Sequence, residues 1–179
     1  MIDENIEKII YSEAIITKPD LPAEDQIYAH PELQKARELW IPHFSYPVAL
    51  GEVFNQKKGI AITGSHGKST TTAMMAIVLA GSEVGGSAII GTQVPQLGGT
   101  NFHAENSENF VIEACEYKRS FLQYRPFITI ITNIDLDHLD YYKNLDDYIS
   151  AFQSLVNQTS GFVIISESDE NSLKLQIPQ

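Results

Sequence analysis

The stretch Ile60-Ala61-Ile62-Thr63-Gly64-Ser65-His66-Gly67-Lys68-Ser69-Thr70 sets an apolar run of strand length, a glycine loop and a Gly-Lys-Ser-Thr helix start in direct succession. In that order the backbone N–H groups of a loop and the positive end of a helix dipole meet a bound phosphate. Gly64 and Gly67 permit backbone angles and a close approach that a side chain would deny. Lys68 can place its ammonium on the β- and γ-phosphates of a nucleotide, and the Ser69 hydroxyl can reach Mg²⁺. Gly64, Ser65, His66, Gly67, Lys68, Ser69 and Thr70 are therefore the candidate phosphate-binding residues. The generic spacing G-x-x-x-x-G-K-[ST] would put a glycine where this chain has Ile62, so the loop is a shortened form.

Outward from this loop, Lys68 to Ala80 reads as a helix ended by Gly81. Ala88 to Ile90, Phe110 to Ile112, Phe127 to Ile131 and Phe162 to Ile165 read as buried strands. Asp146 to Val156 places Tyr148, Ile149, Phe152, Leu155 and Val156 at the spacing of an amphipathic helix. The rhythm predicts an α/β fold resembling the P-loop NTPases, with four or five parallel strands and flanking helices. The first fifty residues look incomplete. Ile9 to Tyr11 reads as a strand, Thr17 to Glu24 as a loop, and Pro31 to Leu39 as a helix that Trp40-Ile41-Pro42 stops. With a boundary between Gly51 and Lys58, the expected division is 1–50 and 51–179.

The 179 residues are 43% hydrophobic, enough to bury a core, and the net charge of −11 repels nucleic-acid phosphates and anionic membranes. No apolar run approaches the ~20 residues of a membrane-spanning helix. The first thirty residues are acidic rather than basic-then-apolar, so no secretory signal is expected and the cytoplasm is the default compartment. The single cysteine, Cys115, cannot form an internal disulfide, and its place after an apolar strand predicts a small packed side chain rather than a nucleophile.

Two polar groups follow predicted strands, at the rim where open α/β sheets bind ligands. Glu113 ends Phe110-Val111-Ile112 and can hold Mg²⁺, which prefers hard oxygen ligands. Thr132-Asn133-Ile134-Asp135-Leu136-Asp137-His138-Leu139-Asp140 follows Phe127 to Ile131 and packs carboxylates, an amide and an imidazole into one loop. His30 and His43, beside prolines, read as structural or exposed.

Together, Ile62 to Thr72, Val111-Ile112-Glu113-Ala114-Cys115-Glu116-Tyr117 and Thr132 to Asp140 resemble the three motifs of the Mur ligases in order and spacing. Within that family they look most like the branch that joins L-alanine to UDP-N-acetylmuramate, in its Gram-positive-type Glu-Ala-Cys-Glu-Tyr form. Tyr11-Ser12-Glu13-Ala14-Ile15 and His30-Pro31-Glu32-Leu33 resemble the end of the family's UDP-binding first domain. The resemblance implies that 1–50 is a remnant of that domain and 51–179 the first part of the central ATPase domain. It further implies an ATP-dependent ligase of peptidoglycan synthesis that forms an acyl phosphate, which an amino-acid amine attacks. Lys68, His138 and Asn133 would then be catalytic, and Ser69, Glu113 and His138 would hold Mg²⁺ or Mn²⁺. Thr100 and Asn101 would lie beside the muramyl substrate. Because the family has three domains, the resemblance leads us to expect an incomplete ligase that needs the remainder for activity. Three other readings stand beside it: the ligase that recycles murein peptides onto the same sugar nucleotide, a nucleotide-binding fragment without ligase activity, and a folate polyglutamate ligase, whose motifs fit less well.

Overall fold

A computed structural model describes residues 2–3, 5–16, 18 and 21–177. The chain divides into two compact units, Met1–Glu52 and Val53–Gln179. In the first, β1 (Ile9–Tyr11), α1 (Ala23–Ala29), α2 (Pro31–Glu38) and β2 (His43–Ser45) lead into α3 (Tyr46–Phe54), which runs across the division. β1 and β2 pair in parallel, Ile9 opposite His43.

One expectation for this part needs correction. Of the loop expected from Thr17 to Glu24, Thr17, Pro19 and Asp20 lie outside the described residues, whereas Ala23 and Glu24 belong to α1. Pro22 stands at the N-cap, and Glu24 and Asp25 put negative charge in the first turn, where the helix dipole favours it. The division between Glu52 and Val53 falls within the stretch from Gly51 to Lys58 where a boundary was expected, inside α3, which continues to Phe54. The Phe54 ring is fully buried, 5.8 Å from Phe110 and 5.5 Å from Tyr124 between ring centres. β2 was not expected, since His43-Phe44-Ser45 has no apolar run like Ile9-Ile10-Tyr11.

The second unit contains β3 (Lys58–Thr63), α4 (Lys68–Ala80), β4 (Ser87–Val94), β5 (Thr100–His103), β6 (Asn109–Glu113), β7 (Ile128–Ile131), α5 (Leu145–Gln158) and β8 (Phe162–Ile165). They form one six-stranded sheet in the order β5-β4-β6-β3-β7-β8. Five strands are parallel and flanked by helices, as expected, and the addition is β5, which pairs antiparallel to β4 at the edge. β5 (Thr100-Asn101-Phe102-His103) lacks the continuous apolar run that marks the buried strands, which is why the sequence did not show it.

Side chains alternate across the sheet. Ile60 and Ile62 join Val111, Ala88 and Ile90 on one face, where Ala76 and Leu79 of α4 close the core. Gly59 points to the other face, where a Cβ would come within 2.3 Å of the Phe54 ring. The register carries the function: Ile62 lies opposite Glu113 on β6, and Thr63 lies opposite Ile131 on β7. The loop after β3 is thus flanked by the segments that leave β6 and β7. Among the described residues no helix is long and apolar enough to cross a membrane.

Candidate functional site

Gly64 has φ of +127°, and a Cβ there would sit 2.2 Å from Thr132 Oγ1 and 2.7 Å from the Asn133 carbonyl oxygen. The loop lies tightly on the segment after β7. The Ser65 N–H donates to the Asn133 carbonyl at 3.0 Å, and the His66 N–H donates to Asn133 Oδ1, also at 3.0 Å. Asn133 Nδ2 returns a bond to the His66 carbonyl at 2.9 Å, and Thr132 Oγ1 donates to the same oxygen at 2.6 Å. Asn133 therefore fixes the loop backbone with both ends of its amide. Ser65 is buried, its hydroxyl 2.6 Å from the Asp135 carbonyl and accepting the Asp135 N–H at 2.8 Å.

Gly67, at φ of 83°, takes the N-cap position of α4 in the left-handed region, and no side chain caps the helix. Its first turn carries no acidic residue, so the first N–H groups and the positive dipole end remain for an anion. Ser65 to Thr70 line a shallow depression of about 280 Å³. A larger one of about 830 Å³, lined by Tyr28, Arg37, Trp40 and His43 among others, lies in the first unit and contains none of the expected site residues.

Lys68 folds back rather than outward. Its Nζ lies 2.5 Å from the Gly64 carbonyl oxygen, 3.3 Å from that of Ser65 and 2.9 Å from Glu116 Oε1. Ser69 Oγ donates to Glu113 Oε1 at 3.0 Å, and Glu113 Oε2 accepts the Gly91 N–H at 2.7 Å. A hydroxyl and a carboxylate therefore stand side by side at the end of β6, a donor set of hard oxygens suited to Mg²⁺. His138 has φ of 56°, and its Nε2 lies 3.4 Å from Glu116 Oε1. The Tyr117 ring is 4.7 Å from the His138 ring, and the Tyr117 hydroxyl donates to Asp140 Oδ2 at 2.6 Å. That bond holds the Asp140 carboxyl below its usual range and pushes the Tyr117 phenol up.

Lys68, Ser69, Glu113, Asn133 and His138 thus come together at one rim of the sheet, whereas Thr100 and Asn101 do not join them. Thr100 Oγ1 lies 3.1 Å from the Leu97 carbonyl and 2.6 Å from that of Phe102, within its own hairpin, and Asn101 is exposed on β5. His66 and Thr70 are exposed, with His66 Nε2 3.9 Å from Asp135 Oδ2. Cys115 departs from expectation. It is exposed, and Ala114 takes the buried place. Desolvation by the surrounding protein still raises its thiol pKa, so it is no activated nucleophile. His43 is structural, within 3.0 Å of both the Tyr28 hydroxyl and the Ile41 carbonyl.

The residue that sequence reading left without a role is Glu116. It is fully buried and links Lys68 to His138 through one carboxylate oxygen. Its only signal was membership of the Glu113-Ala114-Cys115-Glu116-Tyr117 run. The chain turns just beyond it, with Lys118 and Arg119 at φ of 52° and 57°, a conformation that neither residue type advertises.

Residues 62–178 match the Mur ligase middle domain model. The chain is 43% identical over 150 residues to a UDP-N-acetylmuramate–L-alanine ligase of Desulfitobacterium hafniense, covering 83% of this chain and 33% of that protein. Among solved structures it resembles the UDP-N-acetylmuramate-alanine ligase of Thermotoga maritima, with a TM-score of 0.76 and 28% identity over 93% of this chain and 36% of the other. A ligase of Neisseria meningitides that acts on UDP-N-acetylmuramate and L-alanyl-γ-D-glutamyl-meso-diaminopimelate shares the fold, with a TM-score of 0.71 and 23% identity over 92% of this chain and 53% of the other. The chain spans about a third of the length of the alanine ligases it matches.

Proposed function

The chain belongs to the Mur ligase family, whose members are ATP-dependent ligases, and from that premise we propose that it carries the phosphate and metal site of a ligase joining L-alanine to UDP-N-acetylmuramate in the cytoplasm. The observation that carries this reading is the uncapped start of α4 behind Gly67, with the Lys68 side chain folded back onto the loop and the Ser69–Glu113 pair beside it. We read 1–50 as the end of a UDP-binding first domain and 51–179 as the first part of the central ATPase domain. The 43% identity to an alanine-adding relative favours L-alanine over a murein peptide, for which the likeness is one of fold.

In this reading the loop N–H groups and the first turn of α4 bind the ATP phosphates, and the Lys68 ammonium stabilises charge on them. Ser69 and Glu113 would hold Mg²⁺, and His138 would serve a second metal position. The ion supplies charge neutralisation and polarises the phosphoryl oxygens. Asn133 takes up the Ser65 and His66 N–H groups and so fixes the loop in the shape that leaves the N–H groups from Gly67 into α4 for the phosphates. Stabilisation of this type works by fixed dipoles that need no rearrangement as charge develops. The γ-phosphate would pass to the muramyl carboxylate, and the alanine amine would displace it from the resulting acyl phosphate. Isothermal titration of ADP with Mg²⁺ into the parent chain and Lys68→Ala tests the reading: binding should be lost in the variant, and equal affinity refutes the assignment.

A further inference from the structure

We propose that Glu116 is a positioning residue for phosphate binding, acting through Lys68; this rests on the reading of 64–70 as a nucleotide-phosphate loop. Its carboxylate is fully buried. Oε1 takes Lys68 Nζ at 2.9 Å, with His138 Nε2 at 3.4 Å and the Tyr148 hydroxyl at 3.5 Å. Oε2 is buried with no hydrogen-bond partner among the described residues. A buried carboxylate is tolerated only when a charge or several donors face it, so the fold holds the Lys68 ammonium here and the acid in turn fixes where that ammonium sits.

The acid is itself clamped. The Tyr142 hydroxyl donates to the Glu116 carbonyl, and both tyrosine rings are buried, 4.7 Å apart. The Tyr148 hydroxyl also lies 3.1 Å from Ser65 Oγ, which is bonded to the backbone of Asp135. One network therefore joins the phosphate loop, the acid and the segment carrying His138. A free lysine side chain samples many rotamers, and ordering it on ligand arrival costs affinity. Lys68 is already ordered, with its side chain only 16% exposed.

The test compares the parent chain with Glu116→Gln, which keeps size and an acceptor oxygen and removes the charge. Two quantities are measured: the Kd for ADP with Mg²⁺, and the nitrogen-15 NMR signal of the Lys68 ammonium at low temperature, assigned by its absence in Lys68→Ala. The ammonium signal should be seen in the parent and lost in Glu116→Gln, and the Kd should rise about tenfold, the loss expected for one charged hydrogen bond. An unchanged Kd in a folded Glu116→Gln overturns the proposal. So does a raised Kd with the ammonium signal intact, which a merely structural role would give, or a parent chain with no such signal. Should Glu116→Gln fail to fold, Tyr148→Phe decides: a rise of about threefold is expected for one neutral hydroxyl, and no rise overturns the proposal. Equal ADP affinity of the parent and Lys68→Ala is a separate result, and it would sink the reading of the loop itself.

Discussion

Gly64→Ala tests how tightly the phosphate loop is seated. At φ of +127° an alanine is strained whatever the space around it, and its Cβ would lie 2.2 Å from Thr132 Oγ1, 2.7 Å from the Asn133 carbonyl oxygen and 3.0 Å from the Asn133 nitrogen. The threonine hydroxyl can rotate away; the Asn133 backbone cannot, because the Ser65 N–H is bonded to it. Backbone strain of this kind costs about 1–3 kcal/mol and overpacking about as much again, so the expected loss of stability is about 2–6 kcal/mol. Two other glycines isolate the backbone part. Gly67, at φ +83°, has only Thr132 Cγ2 at 4.0 Å, and Gly98, at φ +77°, has nothing within 4 Å. Alanine at either should cost about 1–2 kcal/mol. Urea unfolding followed by circular dichroism ranks the three variants, and titration with ADP and Mg²⁺ reports the site. Gly64→Ala should be the least stable and should lose ADP binding. If it proves no less stable than Gly98→Ala, the close seat of the loop on Asn133 is wrong.

Gly91→Ala would put a Cβ 2.4 Å from Glu113 Oε2, displacing a carboxylate expected to hold metal; Mn²⁺ affinity, read by electron paramagnetic resonance, should fall about tenfold, and unchanged affinity removes Glu113 from the metal site. Desolvation raises the phenol pKa of Tyr142 and of Tyr148 above 10. The stability from the neutral phenols is therefore fully present below pH ~10 and lost as pH rises through the folded values. The urea midpoint should drop above pH ~10, with Tyr142→Phe flattening the drop; a parent midpoint that stays level there would contradict the burial of these phenols. ADP binding should also depend on the divalent ion, so the heat seen with Mg²⁺ should vanish on adding a chelator, and its persistence would count against the Ser69–Glu113 assignment.

Sequence patterning carried the fold as far as apolar periodicity reaches. Ile60 to Thr63 and Phe162 to Ile165 are continuous apolar or β-branched runs, and Lys68 to Ala80 is bounded by Gly67 and Gly81, so these elements were legible in type and, except for the start of β3 at Lys58, at their ends. β5 was not. The mixed polarity of Thr100 to His103 leaves no signal that a single sequence separates from a loop, and its pairing is set by β4. At the site, the residues that face a ligand were readable because glycine, lysine and hydroxyl types have few other reasons to stand in that order. The residues that hold them were not, because Tyr142 and Tyr148 reach Glu116 from 26 and 32 residues further along the chain, contacts that no local pattern shows.

The charges around the loop decide what form of ligand it can take. Glu113, Glu116, Asp135, Asp137 and Asp140 stand on the segments beside it, on a chain whose net charge is −11. The Lys68 ammonium is already opposite Glu116 at 2.9 Å, so the acid sets its place at the loop while offsetting part of its long-range pull on an arriving polyphosphate. A bare nucleotide would meet the helix N-terminus, equivalent to roughly half an elementary charge, against several carboxylates. That balance is unfavourable. A cation on Glu113 and Ser69 would reverse it locally, and the Lys68 ammonium, held by Glu116, would then meet phosphate from the place it already occupies. On the proposed reading of the loop, the acidic surroundings and the Lys68–Glu116 pair therefore favour uptake of the nucleotide as its metal complex.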